Sequence, residues 1–119
     1  MGTIAAVTKD NWQTMLRYWG HNVGRKVILE SDPPKTTSSD SWATVANQTL
    51  DSSAPTLVNQ IAYMSGLQVT GQDGYFDQYT PVADVPTQKW AAPGYTSDGI
   101  HGLQLAYAAA ATAGSCTLP

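Results

Sequence analysis

The feature that most constrains the fold of this chain is its small number of large aliphatic side chains. Only 21 of the 119 residues are Val, Ile, Leu or Phe, whereas four are Trp and six are Tyr. Each buried aromatic ring removes a large area from water, so the core must be assembled around these rings. A chain of this length buries roughly two-thirds of the surface that it exposes when unfolded. We therefore expect one ordered domain, residues 1–119, with a thin core and long loops.

Charged residues are also scarce. Six Lys and Arg and nine Asp and Glu make up 13% of the chain, about half the usual fraction, and Thr, Ser, Gln and Ala take their place. A free monomer uses charged side chains to keep its surface hydrated and its apolar patches small. A neutral surface of small side chains therefore predicts a protein that is covered by other subunits.

The charge pattern and the single cysteine exclude several classes of partner. The net charge is −3, and the basic pair Arg25 and Lys26 is too short to follow a phosphate backbone. We therefore predict no direct binding of nucleic acid. The chain contains no apolar run of membrane-spanning length and no acylation signal, so no membrane partner is predicted. Cys116 has no partner within the chain, which is typical of synthesis in a reducing compartment.

The clearest local pattern predicts a helix near the start of the chain. Trp12, Met15, Leu16 and Trp19 recur at the spacing of one helical face. Asp10 is a suitable N-cap, and Gly20 stands where a left-handed C-terminal residue is expected. These four apolar side chains are predicted to lie mostly in the core, although an aromatic binding surface would use the same pattern.

The middle of the chain alternates short elements with polar loops. Residues 26–30 read as a strand that ends before Pro33 and Pro34, and residues 31–41 as a polar loop. Residues 51–56 form a second loop, with Ser53 as a possible cap for a helix that continues to position 66. Its face would consist of Leu57, Val58, Ile61 and Met64. Residues 67–79 are then predicted to form a β-hairpin with its turn at 71–74.

The last third of the chain carries conflicting signals. Three prolines divide residues 80–94 into an irregular or edge segment. Leu103, Leu105 and Tyr107 alternate as in a strand, whereas the run of alanines from Ala106 favours a helix. Both structures remain open for residues 103–113. Small side chains in such a segment also allow the close approach of a neighbouring subunit.

No motif in the sequence indicates a reaction. His21 and His101 stand outside any pattern typical of metal ligands, and no nucleophile elbow or phosphate-binding loop is present. The stretch from Asp73 to Asp77 lacks the alternating ligands of a calcium loop and reads as a turn followed by a strand. We predict no catalytic residue, no metal and no cofactor, and we expect that the chain is not an enzyme.

One segment resembles a known family. A Thr-Ser-Asp-Gly turn at 96–99 is followed by Ile100, Gly102, Leu103 and Leu105 and then by an alanine-rich run. This pattern, over about 25 of the 119 residues, is similar to that of tailed-bacteriophage capsid decoration (cement) proteins. The resemblance implies a small β-rich, barrel-like domain with short helices that binds to the capsid lattice, often as a trimer. It implies no catalysis.

These observations predict a structural assembly protein of a phage virion, made in the host cytoplasm. The expected fold is α+β or mainly β, with a barrel-like core around Trp12, Trp19, Trp42 and Trp90 and one or two short helices. The expected partners are further copies of the chain and a major capsid or other virion protein. Contacts are expected in the loops 31–41 and 91–99 and in residues 106–113, where an Ala109→Arg change would weaken assembly.

Two alternatives remain open from the sequence. A head-to-tail connector or a tail component would have the same composition as a capsid cement. A small ligand-binding domain or small enzyme would instead need a deep pocket with converging polar groups.

Overall fold

The computed structural model describes residues 4–65, 71–113 and 116–117. Three α-helices are present in these residues: α1 (Ala6–Leu16), α2 (Ala54–Ser65) and α3 (Gln104–Thr112). A π-helical segment, Arg17–Asn22, continues α1. The strands are β1 (Ile28–Glu30), β2 (Thr36–Ser38), β3 (Gln48–Leu50), β4 (Gly74–Phe76), β5 (Ala83–Asp84), β6 (Lys89–Trp90) and β7 (Cys116–Thr117).

The described strands form three small sheets and do not close into a barrel. β4 lies between β1, to which it is parallel, and β7, to which it is antiparallel. β2 pairs with β3 and β5 with β6, both in antiparallel fashion. The mixed α+β character predicted from the sequence is thus confirmed. The barrel-like core is not found in the described residues, and three helices occur where one or two were expected.

The first helix begins and ends at other residues than those predicted. It starts at Ala6, four residues before Asp10, and it continues past Gly20 as the π-helical segment. This segment ends at Asn22, and Gly24, just after the C-cap residue Val23, has the φ of +68° of the left-handed conformation that favours glycine. The prediction of Asp10 as the N-cap and Gly20 as the C-terminal residue was therefore wrong.

The π-helical segment also changes which aromatic residues are buried. Leu16 is fully buried, and the Trp12 ring stacks on that of Tyr63 with 5.8 Å between centroids. Met15 and Trp19, in contrast, are 40% and 47% exposed. A π-turn contains one residue more than an α-turn, so the spacing that aligns Trp12 and Leu16 does not keep Trp19 on the same face. The predicted burial of all four residues was wrong for Met15 and Trp19.

Because Trp19 lies outside the core, we expect Trp19→Ala to change the free energy of unfolding by less than about 1 kcal/mol. Leu16→Ala, on the same helix, is the matched comparison and is expected to cost about 2–5 kcal/mol. Urea denaturation followed by circular dichroism measures both changes. A cost for Trp19→Ala as large as that for Leu16→Ala would contradict the half-exposed position of the indole.

Most of the other sequence predictions for local structure are confirmed. β1 lies within the predicted strand and ends before the two prolines, and α2 carries Pro55 in its first turn with Leu57 and Met64 buried. Ser53 directly precedes α2, at the position predicted for the cap, and its carbonyl accepts from the Leu57 N–H, while its hydroxyl donates to the Asp51 carboxylate. The loop predicted at 31–41 contains β2. The first arm of the predicted hairpin, residues 67–70, lies outside the described residues, and its second arm contains β4.

The ambiguous C-terminal segment forms a helix. α3 buries only Ala106 and Ala110, so the side chains that enter the core are the smallest available. A strand over residues 103–107 would have buried either Leu103, Leu105 and Tyr107 or the residues between them. All three of these large side chains are exposed, Leu103 directly before the helix and Leu105 and Tyr107 on it. The alanine propensity for helix therefore decided the structure here.

Two hydrophobic clusters form the interior. The first contains Leu16, Leu29, Met64 and Tyr75, with Trp12 packed against it. The second, which we call the Trp90 cluster, consists of the buried residues Val82, Trp90 and Ala106 with Trp42, Tyr95 and Ala109 against them. Trp90 is completely buried, so three of the four tryptophans contribute to the core as predicted and Trp19 does not.

Candidate interaction surface

A buried glutamine acts as a strand partner for Trp90, against which Ala106 and Ala109 of α3 pack. Gln48 Oε1 accepts from the Trp90 backbone N–H at 3.0 Å, and Gln48 Nε2 donates to the Trp90 carbonyl at 2.9 Å. The hydroxyl of Thr36 donates to the same Oε1 at 3.2 Å and accepts from Trp42 Nε1 at 2.9 Å. These bonds satisfy polar groups that would otherwise be buried without partners. The network joins β2, β3 and β6 beneath α3.

A tight turn around Asp40 positions Trp42 against the buried residues of the Trp90 cluster. The Trp42 backbone N–H donates to Ser38 Oγ at 2.9 Å, and Trp42 has a φ of +60°. Hydrogen bonds to the Asp40 carboxylate, above all from Ser38 and then from Asn47 and Thr44, lower the pKa of Asp40 to about 2. The carboxylate therefore stays ionised and keeps this turn in place over the pH range in which proteins normally work.

A second loop, residues 96–102, connects the Trp90 cluster to the start of α3. The Gly99 carbonyl accepts from Trp90 Nε1 at 3.1 Å and from the Thr36 N–H at 3.0 Å. Asp98 accepts from the backbone N–H groups of Ile100 and His101, and His101 Nδ1 lies 2.6 Å from Asp98 Oδ2. The bond with the His101 side chain is the main reason why the pKa of Asp98 lies far below its usual value.

A shallow apolar groove runs along α3, and we call it the α3 groove. It measures about 530 Å³, and it is lined by Pro81, Tyr95, Leu105, Ala108, Ala109, Thr112 and Ala113. The Leu103 N–H donates to the Tyr95 carbonyl at 2.8 Å, which anchors the start of the helix beside the Tyr95 loop. Gly94 allows Leu105 to approach, because a Cβ there would lie 3.1 Å from Leu105 Cδ1.

The residues that line the α3 groove carry no charge. Leu103, Leu105 and Tyr107 are 41%, 60% and 55% exposed, and the sequence contains no Asp, Glu, Lys or Arg after Asp98. Such a group of exposed large apolar side chains is typical of an interaction site rather than of a free surface. Three segments were predicted to make intersubunit contacts, and the one in α3 has the largest share of exposed residues. In the other two, Ser31, Thr36 and Thr96 are already buried within the subunit.

The end of the first helix carries a second exposed apolar area. We call it the Trp19 surface; it consists of Met15, Tyr18, Trp19 and Val23, all between 40% and 54% exposed. The rings of Tyr18 and Trp19 meet edge to face with centroids 5.3 Å apart. This contact limits the freedom of both side chains before any partner binds.

The structure does not bring the two histidines into one site. His101 belongs to the 96–102 loop, with a side chain that is 78% exposed. His21 lines a separate polar pocket of about 280 Å³ together with Arg25, Lys26 and Asp73. Within the described residues, no group of three or more His, Cys, Asp or Glu side chains is arranged to hold a metal ion.

The pocket at His21 has a structural explanation. Asp73 accepts from the Val27 N–H at 2.7 Å and from Lys26 Nζ at 3.3 Å. The Val27 bond is the main cause that lowers the pKa of Asp73. The carboxylate thus connects the segment after the first helix to the residues before β4. The strand predicted after the turn is confirmed as β4, which begins at Gly74, a residue that was assigned to the turn.

Sequence reasoning missed the residues that hold the α3 groove in place. Gln48, Thr36 and Gly99 belong to polar stretches without periodicity, and their partners lie up to 63 positions away in the chain. Only the Asp98-Gly99 pair gave a local signal, since such a pair is typical of a turn.

Comparisons of this chain with known protein families, with curated protein sequences and with solved structures find no match. Across residues 4–65 and 71–113, none of the helices has the length and apolar character needed to cross a bilayer.

Proposed function

We propose that this chain is a non-enzymatic structural assembly protein and that the α3 groove is its main contact surface. In the most specific form of the proposal, it is a capsid decoration protein of a tailed phage that bridges neighbouring capsid subunits. The uncharged, apolar surface of α3 carries the proposal. A connector or tail position in the virion would use the same surface.

The energetics favour a role in a repeated assembly. Full burial of one Leu side chain contributes about 1.5–3 kcal/mol, and Leu105 is already 40% covered in the isolated subunit. A single contact of this size is weak. Repetition by symmetry multiplies it, so a lattice or ring of copies is stabilised where a pair of molecules is not. The absence of charge means that little desolvation cost opposes the contact.

The test is a bulky charged residue in the α3 groove. Ala109 packs against the Trp90 cluster, so Arg at that position would also disturb folding. Ala108 is exposed and lines the groove, which makes Ala108→Arg the better variant. We expect a loss of assembly of at least tenfold in apparent affinity, with a thermal midpoint near that of the wild-type subunit.

The matched control is Ala62→Arg, since Ala62 is exposed in the middle of α2 and outside the α3 groove. Light scattering measures self-association, and co-sedimentation with expanded empty capsids measures occupancy. Equal assembly by Ala108→Arg and Ala62→Arg would remove the α3 groove from the proposal. A wild-type chain that neither self-associates nor binds virion components at micromolar concentration would overturn the assembly function itself.

A further inference from the structure

The Trp19 surface has the composition of a binding hot spot. Trp and Tyr are enriched among the residues that dominate interface energies, because a large rigid ring is buried at a low cost in conformational entropy. Here a Trp and a Tyr lie side by side on the end of one helix, in mutual contact and about half exposed. Nothing in the described residues covers them.

The two exposed apolar areas lie in parts of the molecule with different charge. Residues 4–30 and 54–76, which include the Trp19 surface, carry four basic and three acidic side chains. Residues 31–53 and 77–113, which include the α3 groove, carry two basic and six acidic side chains. Arg17 and Arg25, both exposed, lie close in sequence to Trp19. The charges therefore favour contact between unlike ends of two molecules and oppose contact between like ends.

We propose that the α3 groove of one copy binds the Trp19 surface of a second copy. The α3 groove is shallow and open, with a volume of about 530 Å³ and an apolar lining, so an indole ring can pack against it. A symmetric contact between two α3 grooves would bring two acidic ends together. Like the proposed function, this contact makes the α3 groove an interface, and in that respect alone it rests on the proposed function.

This arrangement has a consequence for assembly. The contact joins two different surfaces, so a chain of bound copies always has one free α3 groove at one end and one free Trp19 surface at the other. Such a head-to-tail contact closes into a ring where the rotation between copies allows it and otherwise forms an open filament. The wild-type chain is therefore expected to form particles larger than a dimer.

The test uses one lysine on each surface. Trp19→Lys and Leu105→Lys each remove one partner, so each variant alone is expected to stay at the 12.7 kDa mass of a single chain. An equimolar mixture of the two is expected to double that mass and grow no further. Only one pair of intact surfaces remains in the mixture, and the two lysine-bearing surfaces repel each other. Light scattering after size-exclusion chromatography measures all these masses.

The control variants introduce lysine at positions outside both surfaces. Val7→Lys and Val85→Lys alter exposed valines outside both surfaces and are expected to assemble like the wild type; Val7 is 64% and Val85 51% exposed. Circular dichroism establishes that each variant is folded. If a lysine variant is unfolded, Trp19→Gln and Leu105→Gln replace the pair in the same mixing experiment.

Three results would overturn the inference. One is normal assembly of Trp19→Lys alone, which would leave the α3 groove to a different partner and the proposed function intact. Another is a mixture that remains at the mass of one chain. The third is a wild-type chain that is monomeric at micromolar concentration, in which case occupancy on capsids decides separately whether the proposed function survives.

Discussion

Gly99→Ala is expected to cost more than about 4 kcal/mol in the free energy of unfolding, enough to leave much of the chain unfolded. Gly99 has a φ of +80°, and a Cβ at this position would overlap the Thr36 carbonyl oxygen and lie 2.8 Å from Trp42 Cζ2. The loop would have to move away. That movement would break the bonds that the Gly99 carbonyl accepts from Trp90 Nε1 and the Thr36 N–H.

Gly24→Ala is the matched control for this prediction. Gly24 has a φ of +68°, close to that of Gly99, but apart from its two chain neighbours no described residue has an atom within 4 Å of the position that its Cβ would take. Its replacement therefore measures the backbone strain alone, about 1–2 kcal/mol. Thermal and urea denaturation of both variants give the difference that is due to steric overlap. Equal costs for the two substitutions would show that the close approach of Gly99 to Thr36 and Trp42 is unimportant.

Gln48→Leu is expected to cost about 3–5 kcal/mol, although the two side chains have similar volumes. The substitution removes the Gln48 bonds to the Trp90 N–H and the Trp90 carbonyl and leaves the Thr36 hydroxyl without an acceptor, although that hydroxyl still accepts from Trp42 Nε1. Each buried polar group that loses its hydrogen bond costs about 1–3 kcal/mol. The free energy of unfolding from urea titration measures the loss.

Gln104→Leu makes the same chemical change at an exposed position and is expected to stay within about 0.5 kcal/mol of the wild type. Gln48→Glu adds a pH test. A protonated Glu has nearly the shape of Gln and donates to the Trp90 carbonyl, whereas an ionised Glu cannot donate and is buried as a charge. The pKa of such a Glu is raised by folding, so the variant is expected to recover stability as the pH falls. Full stability of Gln48→Leu at neutral pH would contradict the role of Gln48 as a strand partner.

The sequence predicted those elements whose structure depends on neighbours a few residues away. The helix over Leu57, Val58, Ile61 and Met64 was predicted correctly, because an apolar stripe at helical spacing needs only one surface to pack against. β1 was predicted for a similar reason, since the prolines that follow it cannot continue a strand. The predicted interface in residues 106–113 also came from local composition, and it stays a prediction.

Trp19 shows how a correct local pattern led to a wrong position. The spacing of Trp12, Leu16 and Trp19 does predict a helix, and a helix is present. The π-helical segment that begins at Arg17 then shifts Trp19 away from the buried face. A prediction from side-chain periodicity assumes that the helical geometry is constant, so it does not detect a single wider turn.

The amino-acid sequence by itself determined that the first two helices form, the position of β1 and the neutral character of the C-terminal segment, because side-chain spacing and charge are properties of short segments; for residues 103–113 it left helix and strand open. Tertiary structure alone decided that Gln48 pairs with Trp90, that Gly99 must remain a glycine, and that α3 buries Ala106 and Ala110 and exposes Leu105 and Tyr107. Each of these depends on contacts between residues far apart in the chain. Their cost or gain arises from steric overlap and from buried polar groups, which exist only once the chain has folded.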